Sequence, residues 1–236
     1  MAREQTPGID ALIERQVTRW RLEQLRSAPN VDRPGPPCVA ISRLPFSAGA
    51  GVAERMAAAL DYGLFGREAV ERLSGDAGHA GALVAGLDER RRSAIDRFLV
   101  EVFRSRVATE DESVARVVRV IGTIGRRGAA VIMGRGAPYV LGAEQTLRVL
   151  VVGATADRVA RLAADRNLPA PAAAKELAHD EQTRTDFLRT HFGVTQTDPT
   201  LYDVVVNTST LGVDGAAAVA LEAFRRRFPD ARATAG

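Results

Sequence analysis

Three stretches of the chain carry residue types at spacings that could do chemistry, and each suits an anion. The first is Arg43-Leu44-Pro45-Phe46-Ser47-Ala48-Gly49-Ala50-Gly51, which leads into a helical pattern from Val52 to Leu60. A small-residue loop at the start of a helix aims backbone N–H groups and the positive end of the helix dipole at one point, and phosphate is the natural ligand there. A complete phosphate loop ends in Gly-Lys-Ser/Thr, the lysine reaching the outer phosphates and the hydroxyl binding magnesium. Here Gly49 stands about where the lysine would be and Gly51 about where the hydroxyl residue would be. By spacing alone the segment suits an ordinary strand-to-helix turn as well as a phosphate cradle.

The second stretch is Val131-Ile132-Met133-Gly134-Arg135-Gly136-Ala137-Pro138-Tyr139. An arginine between two glycines at the end of an apolar strand reads as an anion hook, because the glycines let a ligand approach the backbone closely. A structural salt bridge under the following helix is the alternative. The third runs from Asp157 to Arg189 and holds Arg158, Arg161, Arg166, Arg184 and Arg189, with Asp165, Asp180 and Asp186 among them. Arg158 and Arg161 share a helix face, and Asp180 and Arg184 are spaced to pair. Such residues form either a solvated face or, given the break at Asn167-Leu168-Pro169-Ala170-Pro171, a hinged flap able to fold charge over a phosphate chain. Of the 32 lysines and arginines only Lys175 is a lysine. Any phosphate site must therefore use forked guanidiniums, each able to grip two oxygens.

These residues need elements to hold them. Short apolar runs at Cys38–Ser42, Tyr62–Phe65, Ala129–Met133, Leu147–Val152 and Asp203–Val206 read as strands. Helical patterns cover 66–74, 88–108, 113–127, 155–166, 170–191 and 213–227. Strands apolar on both faces and separated by helices imply a parallel sheet covered on both sides, whose ligands bind beyond the carboxyl ends of the strands. Ahead of this lies an amphipathic pattern at 9–26, with Ile9, Ile13, Val17 and Trp20 on one face, cut off by the prolines at 29, 34, 36 and 37. Such a helix packs against the main domain or a partner subunit. His79 falls in the small-residue stretch Ser74–Gly86 and reads as a solvated loop histidine.

The 236 residues, 46% hydrophobic and 26% charged, suit one good-sized globular domain with an appendage. A single cysteine, Cys38, makes no internal disulfide, and with His79, His179 and His191 scattered it forms no clustered zinc site. There is no run of about 20 apolar residues, and MAREQTPGID lacks the order of a signal peptide. A cytoplasmic chain without membrane association is expected. The net charge of +3 is small, and the absence of aromatics interleaved with the basic residues argues against nucleic acid as the partner.

The order Ile41-Ser42-Arg43 with Ser47-Ala48-Gly49, then VIMGRGAPY at 131–139, DEQTR at 180–184 and LYDVVVNT at 201–208, resembles the cytidylate kinase-like family of P-loop nucleoside monophosphate kinases. The resemblance spans about residues 38–228. It implies a three-layer α/β/α P-loop NTPase fold with a parallel sheet and helical lid for residues 38–228; outside it, residues 1–37 read as an added N-terminal helix and Pro-rich linker and 229–236 as a flexible tail. It implies transfer of the γ-phosphoryl of ATP to a pyrimidine nucleoside monophosphate such as CMP or dCMP, with Mg2+ expected alongside ATP and no protein ligand for it identified.

By the same resemblance Arg43, Ser47, Ala48, Gly49, Ala50 and Gly51 face the ATP phosphates. Gly134, Arg135 and Gly136, with Asp180 and Arg184, take the acceptor. Arg135, Arg158, Arg161 and Arg184 carry the catalytic charge. Relatives commonly read Gly-Ser-Gly-Gly where this chain has Phe46-Ser47-Ala48-Gly49, so a ring and a methyl replace two glycines. Gly66 stands where they tend to carry an acidic residue, and Met133 offers no carboxylate at its strand end. The alternative is a catalytically silent nucleotide-binding relative that acts through a protein partner, and a homo-oligomer contact or partner would use the N-terminal helix.

Overall fold

The computed structural model describes residues 35–75, 97, 100 and 111–234. The amphipathic pattern at 9–26, His79, most of the proline linker and nearly all of the pattern at 88–108 lie outside them. Among the described residues the chain runs β1 (Cys38–Arg43), α1 (Gly49–Leu60), β2 (Gly63–Phe65), α2 (Arg67–Gly75), α3 (Glu112–Arg127), β3 (Ala130–Met133), α4 (Ala137–Val140), β4 (Thr146–Val152), α5 (Thr155–Arg166), α6 (Ala170–Phe192), β5 (Val204–Asn207) and α7 (Thr208–Arg227). The strands form one five-stranded parallel sheet in the order β2-β3-β1-β4-β5. No helix among the described residues is long and apolar enough to cross a membrane.

The central strands read as unbroken apolar runs because both their faces are covered. Cys38, Val39, Ala40 and Ile41 of β1 are fully buried. Val39 and Ile41 join Val52, Met56, Ala216, Ala220 and Phe224 in the core under α1 and α7. Cys38 and Ala40 face the opposite core with Val118, Ile121, Ile124, Tyr139 and Phe192, under α3, α4 and the end of α6. A smaller third cluster of Leu162, Ala173 and Leu177 joins α5 to α6 as a separate pair of helices, the expected lid.

Two element starts differ from the sequence reading by more than one residue, each for a local reason. The first helix begins at Gly49 instead of Val52, so half of the small-residue loop is already helical. The last begins at Thr208 instead of 213 because the Asn207 side chain accepts from Ser209 N at 2.9 Å and caps it, and Gly212 (φ 65) then absorbs a kink.

Strand order reverses around β1. The segments after β1 and β3 depart toward opposite faces, α1 to one core and α4 to the other, which opens a crevice beyond their adjacent carboxyl ends. Gly134 N donates to Ile41 O at 2.9 Å across that junction and holds the two mouths together.

Candidate functional site

The loop after β1 is tied down by two of its own donors and by its carbonyls. Leu44 N donates to Val151 O at 3.0 Å, and the buried Ser47 hydroxyl bonds Leu44 O at 2.9 Å and Val151 O at 3.1 Å. Thr208 Oγ1 donates to Ser47 O at 2.8 Å. Arg161 Nη1 donates to Phe46 O at 3.1 Å and Arg158 Nη1 to Pro45 O at 3.5 Å. Arg43 O accepts from Arg184 Nη1 at 3.1 Å and from Gln196 Nε2 at 3.0 Å. With its acceptors engaged by the surrounding elements, the loop delivers the start of α1, whose N-cap Ala48 makes no side-chain cap. The first N–H groups of a helix have no partner inside it, so Gly49, Ala50 and Gly51 present donors to the crevice.

Gly49 and Gly51 explain the missing lysine and hydroxyl. A Cβ built on Gly49 would lie 2.8 Å from Arg43 Cβ and 3.0 Å from its Cδ, so the Arg43 stem crosses the place where a side chain at 49 would start. The guanidinium then reaches Met133 Sδ at 3.1 Å, at the end of β3. A Cβ on Gly51 would lie 2.9 Å from Val213 Cγ1, because α1 and α7 approach closely there. An arginine arriving from β1 thus occupies the ground that a residue-49 lysine would take.

Four guanidiniums gather at this junction. Arg67 acts electrostatically on Arg43, Arg135 and Arg184, and Arg43 also acts on Arg184. Burial first, and then Arg67, lowers the pKa of Arg43 and of Arg135. Burial, then Arg43, lowers that of Arg184, with Asp180 opposing and Arg67 adding to it. Among the described residues neither Arg43 nor Arg184 forms a salt bridge, and Glu71 pairs with both Arg135 and Arg67, the latter at 3.1 Å. Arg135 sits at φ 51 between Gly134 (φ 84) and Gly136 (φ 77), three left-handed residues in succession. Gly136 also has no room for a side chain, since a Cβ would meet the Phe192 ring at 2.4 Å. The Nε of Arg135 is buried without a hydrogen-bond partner among the described residues.

Behind the turn lies a buried polar chain. The hydroxyls of Tyr139 and Tyr202 bond each other, Tyr202 donates to Gln196 O at 2.9 Å, and Gln196 Nε2 donates to Ser42 Oγ at 2.8 Å. Burial pushes both phenols above their ordinary pKa, so they remain neutral donors. This chain links the Arg135 turn, through α4, to the end of β1 and to the segment after α6.

The structure therefore brings Arg43, Arg135 and Arg184 into one junction beside the Ser47–Gly51 segment. Arg158 and Arg161 reach the same loop from behind, as its carbonyl donors. Arg158 is 4% exposed, and besides Pro45 O it donates to Gly153 O (2.9 Å), Thr155 Oγ1 (3.3 Å) and Glu181 (2.5 Å). Spacing paired Asp180 with Arg184. The salt bridge of Asp180 is instead to Arg166, at 4.0 Å, because Arg184 turns inward to the β1 end. Phe46 does not fill the cradle: its ring packs on the Leu162, Ala173 and Leu177 cluster, with the Arg166 guanidinium 5.8 Å over it.

The sequence reading missed Arg67, Glu71 and Gln196. Arg67 had a signal, since it stands two residues past β2, at the carboxyl edge where ligands of such sheets bind.

The described residues do not suit a protein-held magnesium. No group of three or more His, Cys, Asp or Glu among them could hold a metal, Gly51 offers no hydroxyl, and the Ser47 hydroxyl is committed to carbonyls.

A parallel sheet with its first strand central, and a tight loop opening a helix at that strand's end, define a P-loop type of α/β protein. Residues 38–210 match the cytidylate kinase-like family, and the chain belongs to that family. Kinase-like chemistry on nucleotides, with metal use in general, is what that membership suggests. A crystal structure of an uncharacterized protein from Eubacterium ventriosum ATCC 27560 is similar at a TM-score of 0.60 and 16% identity, covering 78% of this chain and 96% of that one. At that identity it supports the fold alone. No curated protein matches the sequence.

Proposed function

We propose that the protein is a phosphotransferase of the nucleoside monophosphate kinase type, moving the γ-phosphoryl of ATP to a pyrimidine nucleoside monophosphate such as CMP or dCMP. The observation that carries this reading is the gathering of arginines beside the uncapped start of α1: Arg43 on Met133 at the end of β3, Arg184 on Arg43 O, and Arg135 joined to Arg67 through Glu71. A chain of phosphates satisfies both features together, taking main-chain donors at one end and guanidiniums along its length.

In this reading the N–H groups within Ser47–Gly51, with Arg43, hold the ATP phosphates. Gly134, Arg135 and Gly136, with Asp180 and Arg184, hold the acceptor. Arg158 and Arg161 keep the lid seated on the loop. An acceptor phosphate oxygen attacks the γ-phosphorus, the bond to the bridging oxygen breaks, and ADP and a nucleoside diphosphate leave. The acceptor phosphate, with a second pKa of about 6, is already largely dianionic at neutral pH, so no side chain has to remove a proton. Positioning and charge neutralisation supply the catalysis. Such an enzyme belongs in the cytoplasm with its substrates.

A coupled assay with ATP, magnesium and a panel of monophosphates tests this. Turnover with a pyrimidine acceptor is expected, and Arg135→Ala should lower kcat/KM by about a hundredfold or more, as for loss of a group that neutralises transferring charge. A second reading is a silent relative that binds nucleotide and meets a partner or a second copy through the helix expected at 9–26. It is favoured by the crowding at Gly49 and Gly51, which leaves no room for an ammonium or metal-binding hydroxyl. Nucleotide binding without ADP release at high enzyme concentration, with Trp20 fluorescence varying with protein concentration or partner, would select it.

A further inference from the structure

Glu71 is the one carboxylate that forms salt bridges with the gathered arginines among the described residues, and it bridges two of them, Arg67 on its own helix and Arg135 across the crevice. We infer that Glu71 is an internal stand-in for the acceptor's phosphate, occupying its seat until a dianionic phosphate monoester displaces it, and so acting as a specificity-determining residue. The inference rests on the reading of Arg135 as the seat of that phosphate and adds what must be expelled to fill it.

Three features support exchange over a permanent structural bridge. The pair is within reach of solvent, with 24% of the Arg135 side chain and 40% of the Glu71 side chain exposed. Glu71 is on a helix at the surface, with a flexible side chain that can swing outward, whereas the main chain at Arg135 is set by the left-handed Gly134–Gly136 turn. Glu71 also leaves the site undersupplied with acceptors: Arg135 Nε is buried without a hydrogen-bond partner, and Arg43 and Arg184 form no salt bridge among the described residues.

The exchange selects by charge. A carboxylate ligand offers the arginines one negative charge, which Glu71 already supplies from a tethered position at high effective concentration. A phosphate monoester brings nearly two charges and three acceptor oxygens, enough to satisfy Arg67 and Arg135 and to reach the unengaged Nε. Glu71 therefore rejects carboxylates, leaves neutral nucleosides untouched, and admits phosphomonoesters at reduced affinity.

The test is calorimetric titration of CMP, inorganic phosphate and cytidine into the full chain, for the wild type, Glu71→Gln and Arg135→Ala. Glu71→Gln should bind CMP and inorganic phosphate about tenfold more tightly, the scale of one charge-assisted contact removed from competition, with cytidine unchanged. Its ligand-free Tm should fall, and phosphate should raise that Tm by more than in the wild type. Glu71→Asp, a methylene too short to span both arginines, should shift binding in the same direction by less and serves if the glutamine variant does not fold. Equal or weaker CMP binding by both Glu71 variants, with binding lost in Arg135→Ala, would overturn the stand-in role and leave the acceptor seat standing. Wild-type affinity in Arg135→Ala, or no binding of CMP and phosphate to any form, would overturn both.

Discussion

At the scale of single residues the loop departs from a complete phosphate loop at Gly49 and Gly51. Gly49 and Gly51 are glycines where a phosphate loop carries functional side chains, and each is crowded by a neighbour, Arg43 in one case and Val213 in the other. Arg43 and residue 49 thus compete for one space, which makes an exchange experiment decisive. Gly49→Lys alone should lower Tm and weaken ATP binding, because its Cβ collides with the Arg43 stem. Arg43→Gly alone should weaken ATP binding by about tenfold or more, the worth of a charge-assisted contact. The double variant Arg43→Gly, Gly49→Lys clears the stem and should recover much of that affinity in an ATP titration. If it binds no better than Arg43→Gly, the Arg43 guanidinium is not doing a lysine's work. None of this was legible in the sequence, where Arg43 and Gly49 are separate letters. The contact between them exists only once the loop has turned back on itself.

Among the elements, the lid and the loop are joined through Phe46. Phe46 and Ala48 both take left-handed backbone, φ 57 and φ 54, the region that favours glycine, and such a conformation costs an L-residue about 1–2 kcal/mol. The two substitutions back to glycine should nevertheless part company. Ala48→Gly removes strain and loses no packed side chain, so after glycine's own entropy cost it should stabilise by about 0.5–1 kcal/mol. Phe46→Gly removes the same strain but also a ring seated against Leu162, Ala173 and Leu177 and under Arg166. It should destabilise the docking of α5 and α6 by about 2 kcal/mol net and raise KM for ATP. Denaturant melts of the two variants check the opposite signs, and matching signs would mean that the ring contributes nothing to seating the lid. The elements themselves could be read from the sequence, because period and burial agree: β1 and β3 are apolar on both faces, and α5 and α6 are separated at Pro169, the N-cap of α6, with Pro171 in its first turn. The direction of the Phe46 ring could not, since a bulky side chain in a small-residue loop looks equally like a plug.

For the whole molecule the controlling fact is that β1 lies at the centre of the sheet and opens on the arginine junction at one end only. Its opening residue, Cys38, is fully buried, with Sγ 3.6 Å from Gly125 O, and burial pushes the thiol up to about 12. Its last residue, Arg43, enters the crevice. The thiolate is the reactive form, so a thiol reagent at neutral pH should label Cys38 only when the strand is exposed. Exposing a strand hydrogen-bonded on both sides, to β3 and β4, removes Arg43, the loop and the Ser42–Gln196 tie together. Opening and ligand binding then exclude one another, and a ligand that binds only the closed form lowers the open population by the factor 1 + [L]/Kd. With ATP at about a hundred times its Kd, labelling should slow by about a hundredfold, and by nothing when the nucleotide is replaced by adenosine at the same concentration. Cys38 is the sole cysteine, so one absorbance trace at limiting reagent follows the whole reaction. Labelling that is fast in the absence of ligand, or indifferent to saturating ATP, would mean that β1 opens at Cys38 while the loop stays intact, or that nucleotide is held elsewhere.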